Sequence, residues 1–174
     1  MPVLSPIIIL DAGPLVALAD AADPNNSWIA EWIGRTSRPY ILTSAAIAEA
    51  THVLMNAPRA LDLLERLVER MRVEDPPPGN VLVEMRSWGQ RMDYADGCAV
   101  LLARKYRGAI VLTTDHRDFS VYRVPFVVSE GGISRISLRG REQADRLKKL
   151  RPGTSRDLTC SPEHLIPGIR PVRP

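Results

Sequence analysis

The stretch Ile7-Ile8-Ile9-Leu10-Asp11-Ala12-Gly13-Pro14 decides how this chain is read. A continuous apolar run rich in β-branched residues fits a strand buried on both faces, as in a parallel sheet. Pro14 suits the first position of a helix, so the strand passes almost directly into one. Asp11 then falls at the carboxyl end of the strand, where open α/β sheets gather their chemistry. Ala109-Ile110-Val111-Leu112-Thr113 repeats the pattern, with Asp115 just past its end. If the two strands are neighbours, both carboxylates face one crevice.

Working outward, Leu15, Val16, Leu18 and Ala19 give the first helix, which Asp23-Pro24 ends. Asn26 or Ser27 can cap a second helix carrying Trp28, Ile29, Trp32 and Ile33. Tyr40 to Thr43 reads as a short strand, and Ser44 can cap a helix running from Ala45 toward Asn56. Pro58 opens a helix with Leu61, Leu64, Leu67, Val68 and Met71 on one stripe. Pro76-Pro77-Pro78-Gly79 breaks the pattern. Helices are then expected from about Val81 to Gln90 and from Tyr94 to Tyr106, the latter with Gly108 as its C′ residue. Pro125 to Val128 reads as a third strand. Strands alternating with helices imply an α/β fold with a mainly parallel central sheet flanked by helices.

The chain has 174 residues, 45% apolar and 25% charged, which suits one globular domain with an appendage. Its two cysteines, Cys98 and Cys160, and three histidines show neither a disulfide framework nor zinc-finger spacing. The early apolar stretch is too short to span a bilayer and has no Lys or Arg before it, so neither a membrane nor a secreted role is expected. A reducing cytoplasm is the expected location. Charge divides unevenly. Residues 1–133 carry 13 basic and 16 acidic side chains, whereas residues 134–174 carry 10 and 4. A boundary is expected at Gly131-Gly132, separating a body of residues 1–131 from a basic, proline-rich extension of residues 132–174. Within it, Arg139 to Leu150 reads as a basic amphipathic helix and residues 151–174 as irregular chain. Such a tail can guide nucleic-acid phosphates or fold back on the acidic body.

Two further acids join Asp11 and Asp115. On a helix Glu49 shares its face with Ala46, Ala50 and Val53, and Asp96 shares its face with Ala99, Val100 and Ala103. A carboxylate on a mostly apolar face is costly unless something pairs with it. Each acid alone has a plainer reading: Asp11 as a helix cap, Asp96 as a helix-start acid favoured by the dipole, Asp115 as a turn residue, Glu49 as a solvated edge. Together in one cleft they would need a counter-cation, and hard oxygen ligands suit Mg²⁺ or Mn²⁺.

The order Ile9-Leu10-Asp11, Ser44 to Glu49, Met92-Asp93-Tyr94-Ala95-Asp96 and Leu112-Thr113-Thr114-Asp115-His116-Arg117-Asp118-Phe119 resembles the PIN-domain nucleases, more narrowly the VapC-type toxins of toxin–antitoxin pairs. The resemblance covers residues 7–128. It implies a PIN-like three-layer fold, with metal-binding catalytic acids at Asp11, Glu49, Asp96 and Asp115. Asp93 and Asp118 match acids that accompany the site, and Thr113 matches a hydroxyl residue before the last acid. One departure is Gly97, where the family more often has alanine. The resemblance further implies a Mg²⁺- or Mn²⁺-dependent endoribonuclease, a cognate antitoxin and a homodimer. The apolar residues around Trp28–Ile33 and Leu61–Met71 suggest surface in excess of what a small sheet covers.

An acidic pocket needs cations at its rim to hold RNA, and Arg91, Arg117, Arg123 and the tail arginines are the candidates. Trp28 and Trp32 can stack bases, though core or interface is the commoner use of such a pair. An acid-pocket α/β phosphohydrolase and a non-catalytic PIN-like interaction module are the alternative readings. A phosphatase of the haloacid-dehalogenase type would want Asp-x-Asp where this chain has Asp11-Ala12-Gly13.

Overall fold

A computed structural model describes residues 7–36, 39–130 and 133–137. Five strands run parallel: β1 (Ile8–Leu10), β2 (Tyr40–Leu42), β3 (Arg72–Val73), β4 (Ile110–Leu112) and β5 (Phe126–Glu130). A sixth, β6 (Ile133–Ser137), turns back antiparallel on β5, giving the order β3-β2-β1-β4-β5-β6. The chain builds outward from β1 to β3, then crosses back to start the other half at β4. β1 therefore lies between β2 and β4, with Ile8, Ile9 and Leu10 in register with Tyr40, Ile41 and Leu42 on one side and Ile110, Val111 and Leu112 on the other. The gap between β1 and β4 is the switch point of the sheet, where the connections leave in opposite directions and open a crevice.

Strand alternation divides the core. Ile8 and Leu10 join one cluster with helices α1 (Ala12–Ala19), α2 (Asn26–Arg35), α3 (Ser44–Leu54) and α4 (Pro58–Val68). Ile9 and Ile41 join the other with α6 (Tyr94–Lys105), residues of α7 (His116–Val121) and the partly buried Met85 and Trp88 of α5 (Pro78–Trp88). All three residues of β1 are fully buried, each contributing roughly 1.5–3 kcal/mol of burial. The three-layer α/β fold expected from the sequence is the one observed.

Several local expectations are corrected. Helix α1 starts at Ala12, because Asp11 caps it. Asn25 rather than Asn26 or Ser27 stands at the cap of α2, and Thr43 rather than Ser44 caps α3, its Oγ1 accepting from the Ala46 N–H. The proline run starts α5 as well as interrupting the chain, with Pro78 at its first turn. Gly108 takes a left-handed φ of 79°, but it lies two residues beyond the C-cap Tyr106. Strands β3 and β6 had no counterpart in the sequence reading, and the sheet runs past Gly131-Gly132. Of the apolar residues expected to be in surplus, Trp28, Ile29, Trp32, Leu64 and Leu67 are buried in the chain's own core, while Ile33, Leu61, Val68 and Met71 are only partly buried against it. Expectations for residues 139–174 lie outside the described residues.

Candidate active site

Hydrogen bonds stitch the carboxyl ends of β1 and β4 together. The Asp11 N–H donates to the Leu112 carbonyl at 3.0 Å. The Asp11 carboxylate caps α1, Oδ1 accepting from the Ala12 N–H at 2.8 Å. Its Oδ2 accepts from the hydroxyl of Thr113 at 2.7 Å, and that hydroxyl oxygen in turn accepts from the Asp115 N–H at 2.9 Å. Thr113 is fully buried, so one hydroxyl joins two acids across the switch point. Gly13 sits so close to Thr114 that an added Cβ would meet its Oγ1 at 1.9 Å. Only a glycine lets α1 begin this near the end of β4.

Asp115 caps α7, its Oδ1 accepting from the Arg117 and Asp118 N–H groups. Asp93 caps α6, its Oδ1 accepting from the Asp96 N–H at 2.8 Å. The plainer capping reading therefore holds for Asp11, as does that of a first-turn acid for Asp96, while Asp115, expected as a turn residue, is the cap of α7. Capping nevertheless leaves Oδ2 of Asp93 and of Asp115 without a hydrogen bond among the described residues. Three helix N-termini hold three acids by one oxygen each, which favours the anions and fixes where they point.

Asp96 lies one turn into α6, with Oδ2 and the hydroxyl of Tyr122 2.8 Å apart. The same hydroxyl donates to the Arg91 carbonyl. The Tyr122 hydroxyl is thus shared between the Arg91 carbonyl and the Asp96 carboxylate. Burial, reinforced by the charges of Asp93, Asp11 and Asp118, pushes Asp96 up to about 7, against the opposing pull of the Tyr122 bond. Burial likewise raises Asp11 to about 6, with Glu49 and Asp93 adding to the shift while Thr113 and Ala12 oppose it. Asp118 is raised by burial and by Asp115 and Asp93, with Arg117 opposing; Glu49 is raised by burial and by Asp93.

These couplings put Asp11, Glu49, Asp93, Asp96 and Asp118 within electrostatic reach of one another, with Asp115 joined through Thr113 and Asp118. Glu49 is exposed on α3. Ala46 and Ala50 are buried as expected, but Val53 is 59% exposed, so Glu49 stands at the edge of the apolar stripe rather than inside it. No Lys or Arg forms an ion pair with any of the six acids among the described residues. The donor set, all oxygen and uncompensated, fits a hard divalent cation in kind. The acids are not drawn in: among the described residues no three stand close enough to hold one ion together.

A cavity of about 300 Å³ opens on the α6–α7 side of the acids, walled by Asp93, Asp96 and Asp118 and by Gln90, Arg91, Val121 and Tyr122. Tyr122 and Gln90 had not been singled out in the sequence, and no spacing or residue type there signals a role. Nor had Asp75, which accepts from the Ser44 N–H at 2.7 Å and from its hydroxyl at 2.5 Å, fastening the start of α3 to the end of β3. Among the rim cations expected, Arg91 lines the cavity and Arg117 lies near Asp118. Arg123 is exposed at a left-handed φ of 61°; of the tail arginines, Arg135 lies on β6 and the others are outside the described residues. Gly97, which stands where an alanine is commoner, is the point where α5 meets α6: a Cβ there would stand 2.9 Å from Cγ1 of Val81.

A curated relative, Ribonuclease VapC26 of Mycobacterium tuberculosis (strain ATCC 25618 / H37Rv), is 29% identical over 127 residues, covering 67% of this chain and 92% of its own. The chain is similar to this VapC ribonuclease. Its fold is similar to that of the crystal structure of PAE2754 from Pyrobaculum aerophilum, at a TM-score of 0.50 and 22% identity over 66% of this chain and 85% of that one. The structure of the PIN domain endonuclease Utp24 aligns at a TM-score of 0.43 and 16% identity, covering 75% of this chain and 90% of that one. No protein-family model matches the chain.

Proposed function

We propose that this protein is a PIN-domain, metal-dependent endoribonuclease, the toxin of a toxin–antitoxin pair. The observation that carries the reading is the junction at the sheet's switch point, where Thr113 links Asp11 to Asp115 and Asp96, Asp93, Asp118 and Glu49 add charge around it. The likeness to a ribonuclease supports RNA as the substrate. Asp11, Glu49, Asp96 and Asp115 would hold Mg²⁺ or Mn²⁺, with Asp93 and Asp118 beside them. Bound there, such an ion supplies Lewis acidity toward the phosphate and acidifies water for attack. The chain's own residues do the rest. Thr113 keeps Asp11 and Asp115 in fixed relation, and the Tyr122 hydroxyl holds Asp96 in place. Arg91 and Arg117 offset phosphate charge at the rim.

A cognate antitoxin and a second copy of the chain are the proposed partners. Val53 and Met55 near the end of α3, and Leu82 and Val83 on α5, are the apolar surface left open for them. No helix among the described residues is long and apolar enough to cross a membrane, and the cytoplasm is the proposed location. Residues 1–131 would form the nuclease unit and residues 132–174 a basic extension, with β6 holding its start to the sheet.

Asp11→Asn tests the reading. It keeps the side chain's shape and removes a charge, so cleavage of single-stranded RNA in Mg²⁺ should fall by at least about 100-fold. The melting temperature without metal should hold or rise, because like-charge repulsion is relieved. Full metal-dependent cleavage by Asp11→Asn protein would overturn the assignment.

A further inference from the structure

We infer that the cavity beside Asp96 seats one unpaired RNA base next to the bond to be cut, and that Gln90 and Val121 set which base is accepted. The inference rests on the nuclease reading for its substrate and on the cavity for its geometry. At about 300 Å³ the cavity lies at the small end of the range for ligand pockets, about 300–1,000 Å³. Its acidic wall is shared with the proposed cleavage centre, so whatever enters it adjoins the reacting phosphate. The remaining wall is of a different character. Val121 is 40% exposed, an apolar side chain turned toward solvent, whereas Tyr122, which also lines the cavity, is fully buried. Val121 contributes nothing to a phosphate or a metal ion, but it suits the flat face of a base. Gln90 is exposed, and its carboxamide makes no hydrogen bond among the described residues. An amide offers both donor and acceptor to a base edge. Arg91 supplies the cation that a flanking phosphate requires. A splayed base held by an apolar wall and read on its edge is how proteins recognise single-stranded RNA.

The wall is also preformed. Gly89 leaves α5 with φ 65° and ψ −140°, a conformation open to glycine, and the 3₁₀ turn Gly89–Arg91 follows at once. The Tyr122 hydroxyl fastens that turn by its bond to the Arg91 carbonyl. The Trp88 ring meets Tyr122 edge-on at 5.5 Å, while its Nε1–H donates to Glu84 Oε1 at 2.7 Å. A pocket fixed from both sides can discriminate, because a wrong base cannot be met by rearrangement.

The test uses single-stranded RNA oligonucleotides varied one base at a time around the cut. Cleavage is mapped in Mg²⁺, and binding is read by fluorescence anisotropy on Asp11→Asn protein, so that no strand is cut. The native chain should favour one base at one position beside the cut by about tenfold, the worth of one good amide–base pair. Gln90→Ala, alone for cleavage and added to Asp11→Asn for binding, should bring that preference within about twofold. Val121→Trp, which fills the cavity, should weaken binding of the favoured oligonucleotide by about tenfold, with an unchanged melting temperature. Variants that keep the native base profile would overturn the inference. Cutting by the native chain without base preference overturns it and leaves the nuclease reading standing. Base-selective binding without cutting does the reverse, and neither binding nor cutting removes both.

Discussion

Without metal, Asp11 and Asp96 hold their protons up to about pH 6 and 7 because burial and neighbouring acids penalise both anions. In the unfolded chain both groups titrate near 3.8. The folded state therefore binds more protons between about pH 4 and 7, and its stability falls as pH rises through that window. Melting of metal-free protein should drop between pH 5 and pH 8, by roughly 2–4 °C for each kcal/mol lost. Asp11→Asn should flatten the drop, since asparagine has no proton to surrender and no longer raises Asp96. Added Mg²⁺ should lessen it, because the ion binds the deprotonated acids. Melting that is level across this range in the native chain would show that these carboxyls are not held as described. Asp11, Thr113 and Asp115 were legible in the sequence because each follows directly on an unmistakable apolar strand. Tyr122 was not, because its role comes from meeting Asp96 across 26 residues.

At the scale of elements, Gly97 is the position where α5 and α6 come nearest. Alanine there would gain helix propensity of up to about 1 kcal/mol but drive a Cβ against Val81, which is fully buried and stiff at χ1. Overpacking of this kind typically costs about 1–3 kcal/mol, so Gly97→Ala should lower stability. Adding Val81→Ala should recover part of the loss despite emptying a core position, and chemical denaturation of the single and double variants measures both. A double variant no more stable than the simple sum of two losses would refute the clash. The sequence suggested only that glycine is tolerated in a first turn; the pressing neighbour is on another helix, 16 residues earlier. β3 escaped notice for a related reason. Arg72 and Val73 are both exposed, and they pair with β2 through backbone groups alone, without an apolar run to announce a strand.

For the whole molecule, the unequal division of charge makes its own prediction. Residues 138–174 carry nine basic and four acidic side chains. If they act as an arm for RNA phosphates, cutting the chain after Ser137 should flatten the dependence of log affinity on log salt. The slope should change by roughly 0.7 for each phosphate of a single strand that the arm had neutralised. Cleavage at saturating RNA should be nearly preserved. An unchanged slope with a lowered melting temperature would instead mean that the segment packs on the acidic body. The strand order β3-β2-β1-β4-β5-β6 has a different consequence, one of time. Asp11 is made early in synthesis, yet the hydroxyl that holds it belongs to a residue 102 positions later. A chain growing from the ribosome has no acid centre until β4 has emerged and slid in beside β1. For a protein proposed to cut RNA, that delay means the nascent polypeptide is harmless to the message that encodes it for most of its own translation.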